Sequence, residues 1–187
     1  TLGIDLEGEA KGLVPSTSWK KIAIGEQWYL GDTYNYGIGQ GYLLVTPLQV
    51  NMWTSAIANK GVLYQPHLLK AQSAKRKAQK FLSDKTVDLI RQGMIESCSP
   101  DGVVWPLFDF KYQKSNIKNE TREVKIACKT GTAEHGGKET LPHAWITLFA
   151  PADNPQIVLT VLSESSGEGS NIAAPIAKKI LEEWFSR

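Results

Sequence analysis

Up to residue 45 the apolar positions follow no clean period, and Gly, Tyr and Trp are frequent. This predicts irregular, loop-heavy structure with short helical pieces. From Thr46 to Gly61 the pattern turns helical. Thr46 suits an N-cap, Pro47 the first turn, and Gln49 completes a Thr-x-x-Gln capping box. Val50, Trp53 and Ile57 fall on one face, predicted to be the buried one, and Asn59–Lys60–Gly61 supplies the stop. Residues 63–69 read as a short extended piece, and 70–80, with Lys75–Arg76–Lys77, as a solvated loop. Ser83 to Glu96 predicts a second helix with Val87, Ile90 and Met94 inward. Residues 99–122 read as a long connection holding Trp105, Phe108 and Phe110.

The last third changes period. A strand over 123–132, a loop over 133–143, and strands over 145–150 and 156–163 around the turn Pro151–Ala152–Asp153–Asn154–Pro155 are predicted. The last two strands are apolar almost throughout rather than alternating, which predicts cover on both faces by helices. After the Gly/Ser stretch 165–170, residues 171–185 form a final helix. Ile172, Ile176, Ile180 and Trp184 recur in it at four-residue steps, placing that stripe on the sheet.

With 187 residues the chain suits one domain or two lobes, and roughly 70% of its unfolded surface can be buried. A net charge of +2 gives no field that would argue for a nucleic-acid partner. No stretch approaches the ~20 apolar residues of a membrane span, and no signal peptide is visible. The chain opens on Thr1 in mid-pattern, which suggests a piece of a longer protein. Cys98 and Cys128 are compatible with a disulfide, but nothing resembles a disulfide framework, and two small buried apolar residues is the favoured reading. His67, His135 and His143 show no metal-ligand spacing with the cysteines; His135 and His143 flank one loop and can meet in space. Neither a metal nor a cofactor is expected.

The candidate chemistry sits at the end of the first of those strands, Val124–Ala133, which carries Lys129–Thr130–Gly131–Thr132. An ammonium, two hydroxyls and a glycine on one extended segment suit a carboxylate and an acyl carbonyl lying along a sheet edge. Gly131, lacking a Cβ, admits close backbone approach, and the Thr132 backbone N–H is a candidate oxyanion donor. Lys-Thr-Gly is one of three signatures of serine acyl-transfer enzymes that act on penicillins. The other two are not convincing here. Ser18–Trp19–Lys20–Lys21 formally fits Ser-x-x-Lys, but its neighbours are polar and Gly25 follows closely, whereas the chemistry needs a buried helix. No Ser-x-Asn occurs, and Thr33–Tyr34–Asn35 only echoes one. Gly37–Ile38–Gly39–Gln40–Gly41 lacks the Lys-Ser/Thr ending of a phosphate loop and reads as a structural turn.

Several segments in order along the chain resemble class B penicillin-binding proteins of the elongation type. They are Gly3–Ile4–Asp5–Leu6–Glu7–Gly8–Glu9, then Gly31–Asp32–Thr33 with Ile38–Gly39–Gln40–Gly41, Val45–Thr46–Pro47–Leu48–Gln49, Cys128–Lys129–Thr130–Gly131–Thr132–Ala133–Glu134, His143–Ala144–Trp145 and Phe149–Ala150–Pro151. Residues 97–122 depart from the family pattern. The resemblance implies an α+β fold: an antiparallel sheet of the serine β-lactamase/transpeptidase type flanked by helices, with part of an adjoining helical lobe. Residues 1–80 would be the remainder of that lobe and 81–187 the sheet–helix lobe. It also implies that the nucleophilic serine precedes residue 1.

As the resemblance has it, the full protein is a D,D-transpeptidase. It would bind D-Ala-D-Ala stem peptides of peptidoglycan and β-lactam antibiotics outside the cytoplasm. It would be anchored to the membrane through a segment absent from this chain, and it would partner a membrane glycosyltransferase of the elongation machinery. Lys129 would supply electrostatics, Thr130 and Thr132 would hold the carboxylate, and Thr132 N–H would serve the oxyanion. The 187 residues alone would be inactive. A serine β-lactamase or β-lactam sensor, distinguished by the rate of deacylation, and a non-catalytic muropeptide-binding homologue are the alternatives.

Overall fold

The computed structural model describes residues 1–68, 78–114, 120–137 and 139–187. The predicted solvated loop with Lys75–Arg76–Lys77, the end of the 63–69 piece and part of the 99–122 connection lie outside the described residues. Two compact units emerge: Thr1–Thr46 with 66–68, and Pro47–Gln65 with 78–187.

The first unit is loop-rich, as its aperiodic sequence predicts, with two short helices, α1 (Thr17–Ala23) and α2 (Leu30–Gly37). Its polar hub is Lys20, only 2% exposed, whose ammonium meets Asp32 at 2.7 Å and Glu26 at 3.5 Å and lies 4.7 Å from the Tyr29 ring centroid. Asp32 also accepts the Tyr29 N–H at 2.7 Å. These bonds hold the Asp32 carboxyl below its ordinary range, the Lys20 hydrogen bond first among them, and the Asp32 bond in turn raises the Lys20 ammonium. Leu13 and Leu44 exchange backbone hydrogen bonds of 2.8 and 3.0 Å that close the loops. Asp5 accepts the Leu68 N–H at 2.6 Å.

The second unit is built on helix α3 (Pro47–Ala58), a short pairing of β1 (Val62–Tyr64) with β2 (Ala78–Lys80), and helix α4 (Asp84–Ser97). Ser83 caps α4 by accepting the Thr86 N–H at 3.2 Å. Beyond it come a 3₁₀ turn (Trp105–Leu107) and a hairpin of β3 (Lys111–Gln113) with β4 (Thr121–Glu123). The sheet that positions the candidate site then follows: β5 (Ala127–Ala133), β6 (His143–Ala150) and β7 (Ile157–Ser163), antiparallel with β6 central. A π turn (Gly169–Ala173) leads into the last helix, α5 (Ala174–Ser186).

Strand alternation divides this sheet into two covered faces. One presents Cys128, Ala144, Ile146, Leu148 and Ala150 to Ala173, Ala174, Ala177, Leu181 and Phe185. The other presents Ala127 and Phe149 to Ala58 of α3, Met94 of α4 and Ala152. The predicted antiparallel sheet flanked by helices is present, and β6 is covered on both sides.

Three packing expectations are corrected. On α5 the stripe Ile176, Ile180 and Trp184 is exposed, Trp184 to 44%, Ile172 is half-buried, and the sheet is met by Ala174, Ala177, Leu181 and Phe185. On α3, Trp53 is 46% exposed while Thr54, Ala56 and Ala58 are buried; Val50 and Ile57 are half-buried. Ala174 and Ala177 on α5 and Ala58 on α3 let the helix axes approach the sheet closely, and Leu181 and Phe185 fill the core farther along α5. Finally, the 99–114 part of the expected connection is core: Val104, Leu107 and Phe110 are buried, although Trp105 is exposed.

The cysteines pair. Cys98, at the C-cap of α4, and Cys128, the residue before Lys129, form a disulfide with Cα atoms 5.9 Å apart. The favoured reading of two separate buried thiols was wrong, because tertiary packing sets two residues 30 positions apart side by side, which no local pattern encodes.

Candidate active site

β5 is an edge strand. It pairs with β6 from Ala127↔Phe149 to Ala133↔His143, and among the described residues no strand pairs with its other side. Lys129–Thr130–Gly131–Thr132 occupies the open half of that edge, with Lys129 and Thr132 exposed and Thr130 and Gly131 half-buried. All four predicted site residues therefore lie together on an accessible wall.

The direction of the main-chain groups follows from one close approach. A Cβ built on Gly169, in the π turn, would fall inside contact distance of Trp145 O, 2.8 Å from Gly131 O and 3.1 Å from Thr130 Cβ. One point can touch both carbonyl oxygens only if they lie between the strands. Gly131↔Trp145 is thus a hydrogen-bonded rung of the antiparallel ladder. Because rungs alternate, the N–H and C=O groups of Thr130 and Thr132 project to the outer edge of β5. Lys129 agrees with this: its ammonium donates to Thr130 O at 2.6 Å.

Alternation also sorts the side chains. Lys129 and Gly131 rise from the face that carries α3, Thr130 and Thr132 from the opposite one. Gly131 answers to a local constraint as well: a Cβ there would lie 3.3 Å from Cβ of Trp145, its cross-strand partner, tighter than ordinary contact.

At the far end of the strand His135 and His143 stack, with ring centroids 3.8 Å apart and planes 7° from parallel. His143 Nδ1 accepts the Ser165 N–H at 2.9 Å, and His135 Nε2 lies 3.0 Å from both Leu141 O and Ser165 Oγ. The pair joins the end of β5, the start of β6 and the turn after β7. Among the described residues no three metal-binding side chains gather.

Ser18 does not occupy a buried helix. It lies exposed in α1, whose N-cap is Ser16, and Lys21 is exposed as well, while the neighbouring Lys20 is committed to Asp32. Gly39 and Gly41 adopt left-handed turns after α2, with the Gly39 N–H bonded to Tyr36 O at 3.0 Å, as a structural turn requires. Sequence reasoning did not single out Gly169, whose place against the site strand only the fold reveals.

Comparison with known proteins decides the family. The family described as "Penicillin binding protein transpeptidase domain" matches residues 1–182. The chain belongs to this family. Among curated relatives, the Haemophilus influenzae protein named peptidoglycan D,D-transpeptidase MrdA is 32% identical over 99% of this chain, and the Escherichia coli K12 protein of that name 31% identical over 96%. The chain spans about 30% of the length of each.

Penicillin-binding protein 2 of Helicobacter pylori, solved in complex with MreC, superposes with a TM-score of 0.81. It shares 33% identity over 98% of this chain and 33% of its own. Penicillin-binding protein 2 of Pseudomonas aeruginosa, in complex with WCK 5153, gives a TM-score of 0.76 at 32% identity, over 96% of this chain and 39% of its own. The described helices of this transpeptidase-family chain include none long and apolar enough to cross a membrane.

Proposed function

We propose that the full-length protein is a serine D,D-transpeptidase of peptidoglycan synthesis, acting outside the cytoplasm, and that this chain supplies one wall of its active site. The observation that carries the reading is the Lys129–Thr132 segment on an open sheet edge, with Thr130 and Thr132 main-chain groups turned outward. An extended D-Ala-D-Ala terminus laid along that edge adds as a strand. Its terminal carboxylate is met by the Thr130 and Thr132 hydroxyls, with the Lys129 ammonium adding positive charge.

The serine, supplied from outside these 187 residues, attacks the penultimate carbonyl. The carbonyl oxygen gathers charge in the tetrahedral intermediate, and the Thr132 N–H stabilises it. The intermediate collapses to an acyl ester as the C–N bond breaks, and D-Ala departs with the former serine hydroxyl proton on its amine. An amine of a second stem peptide then attacks the ester carbonyl, the C–O bond to serine breaks, and one amine proton returns to the serine oxygen, forming the cross-link. A β-lactam follows the first half and remains as the ester. A membrane glycosyltransferase that polymerises the glycan strands is the partner this reaction calls for.

The test is acylation by a labelled penicillin. The full-length protein takes up one label, and Ser18→Ala takes it up at the wild-type rate. Lys129→Ala takes it up roughly 10²–10³-fold more slowly, the scale of losing one preorganised charge-stabilising group. The 187-residue chain alone takes up none. A label on Ser18, or unchanged rates in Lys129→Ala, overturns the reading.

A further inference from the structure

We propose that Gly169 is a positioning residue for the oxyanion donor, so that the π turn Gly169–Ala173 serves the site strand as its backstop; this rests on the function proposed above. Gly169 is buried against the rung formed by Gly131 and Trp145. Its Cα lies so close that an added methyl group would intrude on Trp145 O, stand 2.8 Å from Gly131 O and touch Thr130 Cβ at 3.1 Å. Two of these three neighbours belong to backbone, which moves only by moving the strand. The third belongs to a candidate carboxylate ligand.

The consequence is geometric. Gly131 is the one residue between Thr130 and Thr132, and its rung is the hinge about which their outward N–H groups are aimed. Oxyanion donors act within a narrow distance, about 2.7–3.1 Å from the charged oxygen. A tilt of the Gly131 rung changes that distance with no contact to substrate. The turn is itself held by hydrogen bonds and packing. Ile172 N–H and Asn171 N–H both bond Glu168 O, at 3.0 and 3.2 Å, and the neighbouring Ala173 and Ala174 are fully buried. A π turn costs backbone hydrogen-bond geometry relative to an α turn, and such turns recur at functional sites.

The test separates binding from chemistry. In the full-length protein, Gly169→Ala should weaken the first, non-covalent penicillin complex only several-fold, because the added methyl also presses on Thr130 Cβ. Its acylation step should be slower by about 10²-fold, the effect of a misplaced oxyanion donor. Gly137→Ala is the matched control: a Cβ there meets nothing within 4 Å, and it should acylate normally. Both are compared at temperatures where circular dichroism shows the variant fully folded.

If Gly169→Ala does not fold, Ile172→Ala decides. It loosens the turn without placing an atom between the carbonyls and should slow acylation several-fold with binding intact. Wild-type acylation in a folded Gly169→Ala, or in Ile172→Ala when that variant must decide, overturns the assignment of Gly169 and leaves the proposed function standing. Failure of the wild type itself to acylate overturns both.

Discussion

Thr147 on β6 donates its hydroxyl proton to Thr54 on α3, oxygen to oxygen 2.7 Å. The direction is forced. Thr54 spends its own proton on Val50 O at 2.9 Å, so it accepts from Thr147. Thr147, its proton spent, accepts from Thr160 at 2.8 Å, and Thr160 accepts from the Asn51 amide at 3.4 Å. The result is a one-way chain from α3 across two strands and back to α3. It runs through the sheet row whose third member is Lys129, paired in register with Thr147.

Breaking this chain strands its neighbours. Thr147→Val leaves the Thr160 proton without an acceptor and Thr54 without a donor at a half-buried seam. The expected loss is about 1–3 kcal/mol of unfolding free energy. A double-mutant cycle with Thr54→Val should show the two losses to be less than additive, because both remove one bond. Additive losses in denaturant unfolding would contradict the chain.

The Cys98–Cys128 disulfide closes a loop of 30 residues directly behind Lys129. The loop-entropy account gives it about 3.5 kcal/mol against unfolding. Thiol titration of the oxidised, denatured protein should find neither cysteine reactive. Dithiothreitol or the Cys98→Ser/Cys128→Ser pair should lower the unfolding free energy in denaturant by an amount of that order. Two reactive thiols before reduction would refute the pairing.

Asp32 makes the first unit sensitive to acid. Its folded-state pKa lies below its unfolded value, chiefly through the Lys20 hydrogen bond and then the Tyr29 N–H. The stability it contributes is therefore fully present above the unfolded value, about 3.9, and is lost as pH falls through the lowered folded one. Amide exchange in α1 and α2 should accelerate over that window in the wild type. Asp32→Asn should exchange faster already at pH 6 and change less on acidification. Parallel profiles for the two would remove Asp32 from the account.

The strands of the sheet were legible in the sequence, because runs such as His143–Ala150 and Ile157–Ser163 are apolar almost throughout, whereas their antiparallel, helix-flanked arrangement followed from the family resemblance. The helix faces were not. Bulk drew attention to Ile176, Ile180 and Trp184, yet Ala174 and Ala177 touch the sheet, since close approach favours small residues and periodicity does not weigh size. The β3–β4 hairpin escaped because three-residue strands are too short to show alternation. The disulfide and Gly169 escaped because each depends on a contact between distant segments. At the candidate site, Lys129 and the threonines stand out in the sequence by residue type, whereas Gly169 and Thr147 show only in the fold, through what they press against or bond.

The most direct measurement is a crystal structure of the full-length protein acylated by a penicillin. The antibiotic carboxylate should lie within hydrogen-bond distance of the Thr130 and Thr132 hydroxyls, with the ester carbonyl oxygen facing the Thr132 N–H along the outer edge of β5. An acyl group seated on any other wall, with that edge untouched, would contradict the account.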